Sequence, residues 1–384
     1  MNKPISVLFV NPSNGLSGDT RSLVDLIKSL QNEIKPIVLL TSQYSAAYDY
    51  FREFGIECIV HPYQLQFILP FWRNVKNVLL HPWRLRFLNF LRMDLPCRFF
   101  VKKKMAKYEI DIVHTNRSQV MMGYKLSRDF GAKHVWHIRE YANYNGTQRK
   151  IYRGLSHLRK LINKSDARIV VSNPCREWWK LTEKNTWTIW DAVRSVHDCC
   201  YEKDKKPYIL FCSNVLYDAK GVFDAIRAYA ISGLGECGIR LKMIGNVSDD
   251  YAKQIKKYIA EYNCTDSVDL IPAQKDVKPY FAYSMAFINP SVNEGMGRTT
   301  AEAMFFGCPV IAHASGGTLD LVKHRETGYL FNTVEECAEL MNQVCSMDQE
   351  EVILRAQDFA RQNLSIEKYG SKIMEVYKTV LNLT

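Results

Sequence analysis

Short runs rich in β-branched and aromatic residues alternate with helical patterns along almost the whole chain, and they do so in two separate series. In the first, ISVLFVN (5–11), PIVLLTS (36–42), ECIVHP (57–62), DIVHTN (111–116), HVWHIRE (134–140) and RIVVSN (168–173) read as strands, with a helix from about Thr20 to Leu30 after the first of them. In the second, YILFCSN (208–214), RLKMIGN (240–246), VDLIPA (268–273), AFINPS (286–291), PVIAHAS (309–315) and GYLF (328–331) do the same. Helices are predicted from about Gly221, up to about Tyr262, from about Arg298 and, last, from about Ser365 to Leu381. Such alternation predicts parallel sheets wrapped by helices. Each strand of the first series ends in or beside a polar residue, at the edge where open α/β sheets bind ligands.

Between the series, DAVRSVHDCCYEKDKKP (191–207) is charged, lacks apolar periodicity and closes on a proline, as a linker does. A chain of 384 residues has length for two cores. The expected fold class is therefore α/β, with two Rossmann-like domains facing each other across a cleft. The first domain would cover residues 1–195 and the second 205–362, with a terminal helical segment, 363–384, packing back on the first. The two series share no sequence repeat, and no tract is of low complexity.

Nothing approaches the roughly 18–20 uninterrupted apolar residues that span a bilayer. The N-terminal apolar run is too brief for a signal-peptide core and reads as a first buried strand, so a cytoplasmic protein is expected. Eleven cysteines are scattered from Cys58 to Cys345 without a CxxC pair or zinc-ligand spacing, which fits a reducing compartment. A net charge of +11 favours anionic partners without choosing among them.

The chemistry concentrates in NPSVNEGMGRTTAEAMFFGCPVIAHASGGTLDLV (289–322). A strand stops at Pro290, a loop presents Glu294, and Gly295 and Gly297 bracket Met296. A helix then begins near Arg298 with Thr299 and Thr300 in its first turn. Bare backbone N–H groups and the positive end of a helix dipole make that junction a site for phosphate. Glu302 follows Glu294 by eight residues, so one carboxylate can face the sugar end of a ligand and the other its ribose hydroxyls, with a diphosphate between them.

This string resembles the E-x7-E region of the family 4 retaining glycosyltransferases of the GT-B fold, where EG-aromatic-GRxxxEAM precedes G-x-PVIA and a GG turn. Met296 stands in the aromatic position. The segment SNVLYDAKGVFDAI (213–226) resembles the family's donor-phosphate segment, with Lys220 in the lysine position and Asn214 where an arginine is usual. An amide is not equivalent to a guanidinium fork as a diphosphate partner. Arg298 or another cation is expected to compensate, the alternatives being weaker donor binding or a degenerate, catalytically silent member.

In the first half, Asn14, Gly15, Gly18 and Asp19 follow the first strand and precede a helix carrying Arg21, without spelling the GxGxxG fingerprint. By the resemblance this is a loop closing over donor phosphates or acceptor; structurally it is also readable as a tight turn. His137 stands where the family often has a histidine near the transferred sugar. Arg139, Glu140 and Asn116 are the acceptor-binding candidates, with His114 beside them.

No DxD sequence occurs. With the resemblance, this implies a metal-independent, retaining transfer from a UDP- or GDP-linked sugar, without a cofactor, to a saccharide or lipid-linked acceptor in bacterial surface polysaccharide or glycolipid synthesis. Glu294, Lys220 and His137 would form the catalytic set. The donor would also meet Glu302, Gly295, Met296, Gly297, Arg298, Thr299, Asn214, Gly15 and Gly18. A nucleotide-sugar epimerase on the same fold and a silent binding or scaffold protein are the alternatives.

Between Tyr63 and Lys107 lie ten Lys or Arg residues against one acidic residue, Asp94, interleaved with Phe67, Phe71, Trp72, Trp83, Phe87, Phe90, Phe99 and Phe100. Rings beside cationic groups suit an anionic membrane surface, which makes a peripheral position at the inner face of the cell membrane the expectation. The same residues also suit aromatics packed on the first sheet under a solvated basic face. No nucleic-acid module accompanies the charge, and nucleic acid is not an expected partner.

Overall fold

The six residues of β1 (Ile5–Val10) are buried without alternation, the pattern of a strand covered on both faces. A computed structural model describes residues 3–65, 67–68, 89–142, 150–151 and 154–383, and these fold as two compact units. One comprises the residues up to Trp190 together with those from Tyr369 onward; the other runs from Asp191 to Lys368.

In the first unit β1 pairs in parallel with β2 (Ile34–Leu40), which carries β3 (Glu57–Val60). A two-residue β4 (Phe67–Ile68) pairs antiparallel with β7 (Lys150–Ile151) apart from the main sheet. The sheet continues through β5 (Ile112–Thr115), β6 (Lys133–Ile138), β8 (Ala167–Val170) and β9 (Thr186–Thr188). Its order is β3-β2-β1-β5-β6-β8-β9, all parallel. Strand β9 is too short, as TWT, to carry a readable period.

Helix Gly18–Ser29 buries Leu23, Val24, Leu26 and Ile27, the i, i+3, i+4 stripe of a helix laid on a sheet. Helix Ile366–Leu381 buries Tyr369, Ile373, Met374, Val376 and Tyr377 in the same way. Its Gly370 permits close approach, since a Cβ there would lie 2.5 Å from Ser29 Oγ.

The second unit holds β10 (Lys206–Val215), β11 (Arg240–Asn246), β12 (Val268–Ile271), β13 (Ser284–Asn289), β14 (Val310–His313) and β15 (Tyr329–Phe331). Their order is β12-β11-β10-β13-β14-β15, again all parallel. The core between this sheet and its helices is built from Ile209, Phe211, Leu241, Met243, Ile288 and their neighbours. Of residues 191–207, read from sequence as linker, 191–205 carry an isolated bridge from Arg194 to Ser365 and a 3-10 turn at Val196–Asp198 and belong to this unit, while Lys206 and Pro207 already open β10.

Both sheets reverse their strand order once, between β1 and β5 and between β10 and β13. At such a switch point neighbouring strands send their following loops apart, which opens a crevice beyond their carboxyl ends.

Candidate active site

In the second unit the two loops flanking the switch point are the ones carrying Lys220 and Glu294. After β10 the chain makes a 3-10 turn, Asp218–Lys220, and leaves it through Gly221 at φ +71°. A side chain at 221 would collide with Pro290, its Cβ 2.8 Å from the proline Cβ. That close approach brings the loops together. Ser291 Oγ donates to the Ala219 carbonyl at 2.9 Å, and Lys220 Nζ donates to Glu294 Oε1 at 2.5 Å.

The pair is little exposed, at 22% for the lysine side chain and 14% for the glutamate. Burial pushes the Glu294 carboxyl upward, but Lys220 and the Ser291 hydroxyl outweigh it and hold the group below its ordinary value. Glu294 is thus an anion at neutral pH, and Lys220 is its counterion.

The loop's shape is imposed from behind. Asn293 adopts φ +58°, its N–H donates to Ser315 Oγ at 3.0 Å, and that hydroxyl also meets His313 Nδ1 at 2.9 Å. Gly316 and Gly317 lie directly under residues 293–296, too close for any Cβ. Gly297, at φ +99°, then starts helix Arg298–Phe305. Thr300 Oγ1 takes the Asn289 amide at 2.9 Å, fixing the helix start to the end of β13. Met296 is buried, its sulfur 3.0 Å from the Asp191 nitrogen, and Thr299 is half-buried on the first turn.

Arg298 donates through Nη1 to the Ala192 carbonyl at 2.6 Å, and Glu302 Oε1 pairs with Arg194 Nη2 at 2.9 Å. Asn214 is exposed near the end of β10, where the pairing with β11 slips between Cys212 and Val215. Lys220, Glu294, Gly295, Gly297, Arg298, Thr299 and Glu302 therefore gather around one helix N-terminus, while Asn214 stands at the strand end beside it.

The first unit builds a different kind of cluster beside its own switch point, on β5 and the neighbouring β6. His137, at the end of β6, is fully buried, with Nδ1 3.1 Å from His114 Nε2 and 3.3 Å from Arg139 Nη2. His114 Nδ1 lies 2.7 Å from the Tyr377 hydroxyl. Arg139 donates to Asn116 Oδ1 at 2.8 Å and to the Tyr369 hydroxyl at 3.1 Å, and Asn116 donates to Asn11 Oδ1 and the Asp19 carbonyl. Burial first, and the Arg139 charge second, push both histidines well below 6.5, so both are neutral.

Glu140 accepts from the nitrogen and hydroxyl of Ser118. Of the glycine loop, Gly15 is exposed with open space around it, and Gly18 begins the helix whose Asp19 accepts from Ser13 and Ser17. Burial raises the Asp19 carboxyl, but Arg117 and those hydroxyls lower it further, to below its ordinary value. The roles of Tyr369, Tyr377 and Arg194 were not readable from sequence.

The basic aromatic segment is described in part. Phe99 is 69% exposed, and Lys102, Lys103 and Lys104 are exposed on the same helix, Leu95–Met105. Phe71, Trp72, Trp83 and Phe87 lie outside the described residues. Among the described residues, no helix is long and apolar enough to cross a membrane, and no three His, Cys, Asp or Glu side chains gather as metal ligands would.

Residues 200–361, which carry the Lys220–Glu294 pair and helix Arg298–Phe305, match the family described as Glycosyl transferases group 1. An uncharacterized glycosyltransferase of Haemophilus influenzae is 30% identical over 170 residues, 43% of this chain and 46% of the relative. A trehalose synthase of Pyrococcus horikoshii is 28% identical over 173 residues, 42% of this chain and 41% of the relative. The matches thus span about half the length of these curated relatives or less. Among solved structures, a glycosyltransferase from Rickettsia africae has TM-score 0.78 at 20% identity over the whole of both chains. Anabaena HepE in complex with UDP-glucose also has TM-score 0.78, at 18% identity over 98% of this chain and 100% of the other. The likeness over the full length gives the fold, which is GT-B.

Proposed function

We propose, from the match of residues 200–361 to glycosyl transferases group 1, that the chain is a retaining glycosyltransferase. It would move a sugar from a UDP- or GDP-linked donor to a saccharide or lipid-linked acceptor in bacterial surface polysaccharide or glycolipid synthesis. The observation that carries this reading is the Lys220–Glu294 pair at a sheet switch point, in front of the first turn of helix Arg298–Phe305. A cation and a helix N-terminus neutralise a diphosphate leaving group, and a fixed carboxylate beside them orients sugar hydroxyls. That HepE, of the same fold, is solved with UDP-glucose supports a nucleoside-diphosphate donor.

In the reaction, the bond from the anomeric carbon to the phosphate oxygen breaks with its electron pair leaving on the phosphate. Lys220 and the backbone N–H groups stabilise the charge that develops there. The acceptor hydroxyl attacks from the same face and passes its proton to the departing phosphate, which retains configuration. Glu294 orients the donor sugar and Glu302 takes the ribose. Because Lys220 and the helix dipole supply the positive charge, we assign a metal-independent mechanism. His137, Arg139, Asn116 and Glu140 are bonded inside the first unit, which supports a part in shaping its ligand-facing edge.

Exposed Phe99 beside Lys102 and Lys103 supports apposition to an anionic membrane surface through residues 63–107. Vesicle co-sedimentation tests this, and binding that is indifferent to anionic lipid would reject it. The activity itself is tested with Glu294→Ala. Sugar transfer should fall by a factor of about 100 or more while the fold persists. UDP or GDP should raise the melting temperature of the wild type. Near-normal turnover by the variant, or no stabilisation by either nucleotide, would overturn the reading.

A further inference from the structure

We infer that Arg194 is a positioning residue for Glu302 and thereby sets affinity for the ribose of the donor; this rests on the glycosyltransferase reading above. Arg194 comes from the irregular stretch that precedes β10, and three independent contacts hold it. Its carbonyl accepts the Ile366 N–H at 3.0 Å, and its neighbour Val193 donates to the Leu364 carbonyl at 3.2 Å. Its guanidinium lies over the Phe306 ring, 5.3 Å from the centroid. Nη2 then meets Glu302 Oε1 at 2.9 Å. A planar cation held over a buried ring and tethered at its backbone is a fixed partner, unlike a surface lysine.

The glutamate needs such a partner. Glu302 lies four residues after Arg298, hence on the same face of the helix, and that face is bound twice to one short segment: Arg298 to the Ala192 carbonyl and Glu302 to Arg194. A glutamate side chain has three rotatable bonds, and holding it in one rotamer costs conformational entropy when the ligand alone must do it. With Oε1 held by Arg194, the carboxylate plane is set before the donor arrives, and Oε2 is the oxygen that would accept ribose hydroxyls. Arg194 touches no part of the donor in this scheme; it acts through Glu302.

The experiment is calorimetric titration with UDP, GDP and inorganic pyrophosphate. Arg194→Met should weaken nucleoside-diphosphate binding on the order of tenfold and leave pyrophosphate binding unchanged, because only the ribose contact is altered. In the Glu302→Gln background the same substitution should add little, since the two residues act as one unit. Arg194→Lys, which keeps the charge without the planar fork, should give an intermediate loss and serves if the Met variant does not fold. Equal loss for pyrophosphate and nucleotide, full additivity with Glu302→Gln, or unchanged nucleotide affinity in both Arg194 variants would overturn the inference alone. Wild-type protein that binds neither UDP nor GDP would overturn the glycosyltransferase reading, and this inference with it.

Discussion

The backbone N–H of Gly317 donates to the carbonyl of Glu294 at 2.7 Å, so the acidic loop hangs from the glycine pair that follows β14. A Cβ at 317 would stand 2.6 Å from Met296 Cα, and one at 316 would stand 2.7 Å from the Glu294 carbonyl oxygen. Both obstacles are backbone, which yields only by moving the loop.

Gly317→Ala should therefore cost about 1–3 kcal/mol of stability, the usual range for overpacking. It should also displace Glu294 from Lys220 and lower sugar transfer by about tenfold or more. Thermal unfolding and turnover measure the two effects. Wild-type values for both would mean that the glycine pair does not fix the loop.

The strands and the E-x7-E loop were legible because burial on both faces and a glycine-bracketed helix start leave local marks within ten or so residues. Thus β1, β10 and β13 fall within a few residues of their sequence readings, and Glu294 and Lys220, picked out from separate segments, form an ion pair. What local pattern cannot carry is pairing across the chain. His137 looks like a ligand contact in VWHIRE, yet its environment is completed by His114 and by Arg139, itself bonded to Tyr369 more than two hundred residues away. Arg194 sits in a stretch without apolar periodicity, so nothing in 191–207 marks it as the partner of a residue on a distant helix.

The buried histidines predict acid sensitivity at unusually mild pH. His114 and His137 are pushed well below their ordinary 6.5, and His134 is pushed down to about 3, in each case chiefly by burial. A histidine with a depressed folded value binds its proton more readily when unfolded, so stability is complete above about 6.5 and declines as the pH falls below it. Each contributes a slope of up to about 1.4 kcal/mol per pH unit. Asp19 and Glu294, also depressed, add their loss only below about 4, as the pH falls through their folded values. Urea unfolding at a series of pH values should show the decline beginning near 6.5, and the double variant His114→Gln/His137→Gln should flatten it. A level wild-type profile down to pH 4.5 would contradict this.

Tyr377 and Tyr369 separate the members of the same network. Tyr377→Phe removes the hydroxyl 2.7 Å from His114 Nδ1 and leaves a fully buried ring nitrogen, at an expected cost of about 1–3 kcal/mol. Tyr369→Phe leaves Arg139 bonded to Asn116, and should cost about 1 kcal/mol or less. Equilibrium unfolding of the two variants tests the ranking; the reverse order would place the weight of the network on Arg139.

Asn214 offers a gain-of-function test of where the diphosphate lies. It is exposed near the carboxyl end of β10, the strand whose following loop carries Lys220, and the sequence resemblance puts it where an arginine is expected. Because the side chain is exposed, Asn214→Arg should change stability by no more than about 0.5 kcal/mol. If the donor's diphosphate lies against Lys220 and the first turn of helix Arg298–Phe305, a guanidinium at 214 adds a forked cation beside that lysine and the helix dipole. Affinity for UDP or GDP should then rise severalfold at low ionic strength, and the gain should shrink in salt because the new contact is solvent-exposed. A substitution that leaves affinity unchanged at low salt would mean that β10 does not point its end at the phosphates, and the donor would have to be sought on the other side of Glu294.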